Sequence, residues 1–218
     1  KKQATNIYSL IERFAQYGFN KSHSTAYAYI SYQTAWLKSY HPAEFMAANL
    51  TSEMNNIDRV VILINECRKL KIDVLPPDIN VSNVNFQPID DTSISFGMNA
   101  IKNVGEKALE FIIAAREKDG PFNSLFDFTG RVDLQAVNKK VLESLIVSGS
   151  MDHLEGSRAE KVSTIDIALR YGQNIQSERY KNQVDLFGDS GNGSGLSMVP
   201  DLQEVRPWSD GEALANEK

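Results

Sequence analysis

The chain has 218 residues, 42% of them hydrophobic, and a net charge of −5 at pH 7. That length suits one large domain or two small ones with packed cores. No apolar run approaches the roughly 18 residues that a membrane span needs, so no membrane partner is expected. Cys67 is the sole cysteine, which excludes an internal disulfide and suits a reducing cytoplasm. His23, His41 and His153 are scattered, so no metal site is expected. The first residue is Lys and already reads as helix, as in a piece excised from a longer protein. The acidity belongs to the tail: from Gln183 onward there are seven acids against two bases, which leaves residues 1–182 balanced at 21 of each. Bulk charge therefore neither supports nor excludes nucleic acid, and a local basic face is still open.

Ile7, Leu10, Ile11 and Phe14 recur at helical spacing, with Gly18 as a stop. After a polar loop at 19–23, Ser22 or Ser24 is placed to cap a second helix to about Tyr40, rich in Ala and aromatics (Tyr27, Tyr29, Tyr32, Trp36). Pro42 suits the first turn of a third helix ending near Met54. Asn56 is placed to cap a fourth, whose stripe of Ile57, Val60, Val61, Ile64 and Cys67 reads as core packing. The texture then changes. Pro76 and Pro77 break both helix and inner strand, and residues 86–96 alternate loosely around Asp90 and Asp91 as a small hairpin. Helices are expected again at about 99–118, 124–130, 138–148 and 157–180, the last opened by a capping box of Ser157 and Glu160. From Gly188 a Gly/Ser-rich run reads as a flexible linker. The fold class is mainly α with a small β-hairpin, with a domain boundary between about 75 and 85.

Three segments carry chemistry. Residues 100–108, Ala-Ile-Lys-Asn-Val-Gly-Glu-Lys-Ala, look like a helix-hairpin-helix turn. Gly105 permits close backbone approach, and the following helix presents unpaired N–H groups that suit a DNA phosphate, with Lys102 and Lys107 beside them. Asn103 and Val104 complete the turn. Such motifs commonly carry Gly where Asn103 stands, and Asn tolerates the left-handed conformation that this position requires. The bland alternative is an ordinary helical turn. A more degenerate copy follows at 137–149, where Leu142, Leu145 and Ile146 face a core and Asn138, Lys139 and Lys140 lie at the helix start. A solvated helix end is the equal alternative there. Last, Gln183, Val184, Asp185, Leu186 and Phe187 form a poor core fragment but a good docking peptide, with Leu186 and Phe187 as anchors for an apolar pocket.

A resemblance joins these parts. Residues 17–23 (Tyr-Gly-Phe-Asn-Lys-Ser-His) and 31–46 (Ser-Tyr-Gln-Thr-Ala-Trp-Leu-Lys-Ser-Tyr-His-Pro-Ala-Glu-Phe-Met) resemble the end of the fingers domain in the family of bacterial DNA polymerase III α subunits. Residues 75–80 (Leu-Pro-Pro-Asp-Ile-Asn), Phe96-Gly97, the turn at 101–105, 120–128 and 138–152 continue the likeness in the family's own order. The resemblance implies three parts. Residues 1–80 would be the C-terminal part of the fingers, 81–182 a tandem helix-hairpin-helix DNA-binding domain, and 183–218 a flexible tail with the clamp-binding motif at 183–187. Residues 208–214 resemble the lead-in to the family's OB-fold.

It further implies that Tyr17, Asn20 and His23, with Lys21 and Ser22 between them, line the site of an incoming deoxynucleotide. Partners implied are duplex primer-template DNA, the sliding clamp (β subunit) and other replicase subunits. The implied parent is a DNA-directed DNA polymerase using Mg2+, with its catalytic aspartates in a palm upstream of Lys1. No Asp-x-Asp occurs in this chain, so no catalytic residue or metal ligand is assigned to it and no polymerase activity is expected of it alone. Three rivals stay open: a stand-alone helix-hairpin-helix DNA-binding or repair accessory module, a clamp-binding adaptor, and the error-prone relative of the same polymerase family.

Overall fold

The structure, a computed structural model, describes residues 2–16, 21–184 and 199–216. Helix α1 (Lys2–Gln16) begins earlier than its apolar spacing suggested. Helix α2 (Lys21–Tyr40) already includes Ser22 and Ser24, so neither caps it, and residues 21–23 of the expected polar loop are helical. Pro42 opens α3 (Pro42–Ser52) at the first turn, where its missing N–H costs nothing. Asn56 caps α4 (Ile57–Lys69) by accepting from the Arg59 N–H at 3.3 Å. Only part of the expected α4 stripe is core: Val60 and Cys67 are buried, whereas Ile57 and Val61 are exposed.

The sheet has one strand more than the expected hairpin. Strands β1 (Asp73–Val74), β2 (Gln87–Asp90) and β3 (Ser93–Ser95) lie in the order β1-β3-β2, with β1 parallel and β2 antiparallel to β3. Pro88 sits in β2, an edge strand, where a missing donor is tolerated. The expected helix over 99–118 is two pieces, a 3-10 turn at Met98–Ala100 and α5 (Glu106–Asp119). Left-handed Asn103 separates them, with a φ of 66° that no helix accommodates. Then come α6 (Leu125–Arg131), capped by Ser124, and α7 (Lys139–Val147), capped by Asn138. The 27-residue α8 (Arg158–Val184) opens on the expected capping box: the Ser157 N–H donates to Glu160 Oε2 at 2.6 Å, and the Glu160 N–H donates to Ser157 Oγ at 3.3 Å. A second capping box, Ser209 with Glu212, opens the short α9 (Asp210–Asn216).

The described residues form two cores. One packs α3 and α4 on the sheet through Ala43, Met46, Leu50, Val60, Cys67, Phe86 and Ile94. The other joins α5 through α8, with Leu109, Ile112, Phe128, Leu142, Leu145 and Ile146 among its fully buried members. Helices α6 and α8 approach closely because Gly172 has no side chain; a Cβ there would collide with the Thr129 carbonyl. The division between cores is not one cut near residue 80. Ile79 enters the second core, Phe86 and Ile94 return to the first, and Met98 re-enters the second. The connecting segment is pinned by Arg116, which donates to the carbonyls of Ile79 and Ser82 at 2.9 Å each and to Asn83 Oδ1 at 3.0 Å.

Part of the segment read as a flexible tail packs back on the body. The Gln203 N–H donates to Thr164 Oγ1 of α8 at 2.9 Å, and Leu202 packs against the second core. At the other end, Ile7, Leu10 and Ile11 of α1 and Tyr29, Tyr32 and Trp36 of α2 stand exposed. Among the described residues no helix is long and apolar enough to cross a membrane.

Candidate nucleic-acid interface

The hairpin turn is held from inside and open outside. Val104 is buried, as are Ala108 and Leu109 on the inner face of α5, so three apolar anchors fix the turn on the second core. The Val104 N–H donates to the Ile101 carbonyl at 3.1 Å and closes it. Lys102, Asn103, Gly105, Glu106 and Lys107 are all exposed. The buried Val104 side chain cannot reach a ligand.

Gly105 is the N-cap of α5, with extended backbone (φ −87°, ψ 157°) and no side-chain cap. The first N–H groups of α5 therefore lack the internal partner that a capping side chain would supply, and carry the positive end of the helix dipole. Glu106 in the first turn offsets part of that field. An ideal Cβ at Gly105 would meet nothing within 4 Å. The glycine is thus not required by the fold; its bareness leaves room for something outside it.

The start of α7 is built differently. Asn138 Oδ1 accepts from the N–H groups of Lys140 and Val141 at 3.0 and 3.2 Å. This helix end is already satisfied from within. Lys139 donates to both carboxylate oxygens of Asp166 on α8, at 2.8 and 2.9 Å, while Lys140 is exposed with no ion pair among the described residues. The two starts are linked, because Asn103 Nδ2 donates to Ser144 Oγ, one turn beyond Lys140 on α7, at 3.3 Å.

Two arginines that the sequence did not single out stiffen this region. Arg131 has a side chain only 8% exposed and pairs with Asp127 at 3.0 Å. It also donates to the carbonyls of Ala115 and Gly120, satisfying the C-terminal end of α5. Its guanidinium lies 4.4 Å from the Phe122 ring centroid. The Asp127/Arg131 spacing of four on a helix was a visible signal; the carbonyl contacts of Arg131 and Arg116 had none.

The other candidate residues are described only in part. Tyr17 and Asn20 lie outside the described residues, and so do Asp185, Leu186 and Phe187. Lys21 opens α2, followed by exposed Ser22 and His23, whose ring lies 4.3 Å from that of Tyr27 one turn on. Gln183 and Val184 form the end of α8, so the docking peptide starts in helix and not in a loop. The family resemblance implies Mg2+ in the parent enzyme, but among the described residues no three His, Cys, Asp or Glu side chains converge. The described residues therefore bring together no donor set for the ion.

Comparison with known proteins agrees with the geometry. A family model described as a helix-hairpin-helix motif matches residues 71–161, spanning the turn, α5, α6 and α7. DNA polymerase III subunit alpha of Vibrio cholerae is 50% identical over 186 residues, covering 85% of this chain and 16% of the relative. The Escherichia coli K12 protein of that name is 47% identical over 220 residues, covering 99% and 18% respectively. That of Pseudomonas aeruginosa is 45% identical over 230 residues, covering 99% and 20%. The chain spans about a sixth to a fifth of the length of these relatives. With such identity along most of its length, and a helix-hairpin-helix region at its centre, the chain belongs to the family of bacterial DNA polymerase III α subunits.

Proposed function

We propose that this chain serves DNA-templated DNA synthesis as the duplex-gripping and clamp-tethering part of a replicative polymerase. The observation that carries the reading is the uncapped, sterically open start of α5 at Gly105, flanked by exposed Lys102 and Lys107. Backbone N–H groups at such a start take phosphate oxygens and read no base edge, so the grip is on duplex DNA of any sequence. Lys140 adds charge from α7, and Lys139 joins it only by leaving Asp166.

The remaining roles follow from family membership and from residue chemistry. Tyr17, Asn20, Lys21, Ser22 and His23 contact the incoming deoxynucleotide, with the positive start of α2 and the His23 ring near the triphosphate. Residues 183–187 dock into the sliding clamp through Leu186 and Phe187. Nucleotidyl transfer needs metal-binding carboxylates that this chain does not assemble among its described residues. Other replicase subunits are partners of the parent protein. The cytoplasm is the compartment proposed.

The test is fluorescence anisotropy of the chain with duplex DNA across a salt series. Binding should be indifferent to sequence and weaken with salt, with a log–log slope of about −3, from roughly three phosphates neutralised. Lys102→Ala/Lys107→Ala should flatten that slope. Salt-independent binding, or none at low salt, would remove phosphate contact as the mechanism.

A further inference from the structure

We propose that Asn103 and Ser144 are positioning residues: their hydrogen bond ties the hairpin turn to α7, so that Lys102 and Lys140 act on one duplex as a single platform. The inference rests on the duplex-binding reading and deepens it.

The turn needs a left-handed residue at 103, where φ is 66°. Glycine meets that need at least cost, whereas asparagine tolerates it with some strain. The side chain that comes with the strain has a partner. Asn103 Nδ2 donates to Ser144 Oγ at 3.3 Å, across 41 residues of sequence and between two otherwise separate helix starts.

The neighbours of this bond are the residues that would meet DNA. Lys102 precedes Asn103 directly, and Lys140 lies four residues before Ser144, on the same face of α7. Both lysines are exposed and, among the described residues, neither has an ion pair, unlike Lys139 with Asp166. Because Asn138 already fills the start of α7, α7 can add to a phosphate grip only through side chains. Where Lys140 stands relative to the turn then matters, and the Asn103–Ser144 bond sets it. The bond is exposed and joins no core residue, so its loss should leave folding stability alone while loosening the spacing.

The experiment uses the whole chain, a short mixed-sequence duplex read by anisotropy, and thermal melting on the same samples. Asn103→Gly and Ser144→Ala should each weaken duplex binding about two- to tenfold, the range of one ordinary hydrogen bond. The double variant should be no weaker than either single one, since all three lack the same tie. Asn103→Gly should melt at the same temperature as the wild type or higher, because glycine relieves the left-handed backbone. Ser144→Thr, which keeps the hydroxyl, should bind like the wild type. Wild-type binding by Asn103→Gly and Ser144→Ala, beside a loss in Lys102→Ala, would overturn the tie and leave the duplex reading standing. Additive losses in the double variant would also overturn it. Wild-type binding by Lys102→Ala and Lys140→Ala would overturn the duplex reading itself.

Discussion

Gly105→Val separates a structural turn from a phosphate site, because the fold has no stake in the missing side chain. The backbone there is extended and a Cβ meets nothing within 4 Å. The internal cost is the poorer N-cap preference of valine, about 1 kcal/mol. It is partly offset by about 0.4–1 kcal/mol gained when glycine's freedom is removed from the unfolded chain. The net change stays within about 1 kcal/mol, or about 2–4 °C of melting temperature for a chain of this size. Outside, the effect is large. A phosphate oxygen must come within about 2.9 Å of the N–H groups, and two methyl groups would stand in its way. Losing one charge-assisted contact of about 1.5–3 kcal/mol lowers duplex affinity about tenfold or more and reduces the salt slope by about 0.9. Gly105→Ala, with one methyl, should fall between. Anisotropy over a salt series and circular dichroism melting on the same samples are the assays. A folded Gly105→Val protein with wild-type affinity and slope would show that the turn only builds the fold.

Other consequences can be checked in the same preparations. Leu186→Ala/Phe187→Ala should weaken binding to the sliding clamp by about 2–4 kcal/mol, more than tenfold by surface plasmon resonance; equal binding would remove residues 183–187 as the docking peptide. Arg131→Ala should destabilise by about 2–4 kcal/mol in chemical denaturation, since it removes the ion pair of Asp127 and the side-chain donor to the carbonyls of Ala115 and Gly120. A loss under 1 kcal/mol, by the ordinary scale of surface changes, would mean water replaces it. Glu160 accepts from the Ser157 N–H and then from its hydroxyl, both of which hold its pKa below the ordinary 4.5. A depressed folded-state pKa gives stability that is present above 4.5 and lost as pH falls through the folded value. Glu160→Gln should therefore flatten the acid-side fall in melting temperature, and an unchanged acid limb would count against the capping box as its source.

What the sequence made legible was local. Asn56, Pro42 and the Ser157/Glu160 pair announce helix starts because a cap is a contact between residues a few positions apart. Asn103 could be read as left-handed from residue type alone. Periodicity misled where it passed over that residue and joined 99–118 into one helix. It also misled on α4, where Ile57 and Val61 face outward: a stripe records apolar spacing, not whether anything lies opposite. Strand β1 was missed because two residues have no period, and their pairing lies about twenty residues on. The return of residues 199–206 to α8 is set by contacts such as Gln203 with Thr164, far apart in sequence. The site divides the same way. The lysines, the turn and the asparagine at the start of α7 were visible, whereas the Asp166 partner of Lys139 and the Asn103–Ser144 bond exist only once segments far apart in sequence are packed.

That packing limits how hard the proposed hairpin can hold DNA. With Lys139 in its ion pair, Lys102, Lys107 and Lys140 are left, and exposed Glu106 and Glu143 sit beside the last two. A grip on about three phosphates, with no base read, belongs in the non-specific range of about 10⁻⁴–10⁻⁶ M at physiological salt. Such a contact releases and re-forms readily, which lets a protein move along a duplex but does not keep it there. A second attachment changes this without any new DNA contact. If residues 183–187 dock on a sliding clamp as proposed, a short tether to a clamp on the same duplex would set an effective concentration on the order of millimolar. That exceeds the expected dissociation constant by about tenfold or more, so the hairpin would be bound most of the time while each contact stays weak. On this reasoning a neutral body and a poorly charged hairpin suit the proposed tethered grip on a duplex. A strongly basic domain would hold one register and oppose the movement.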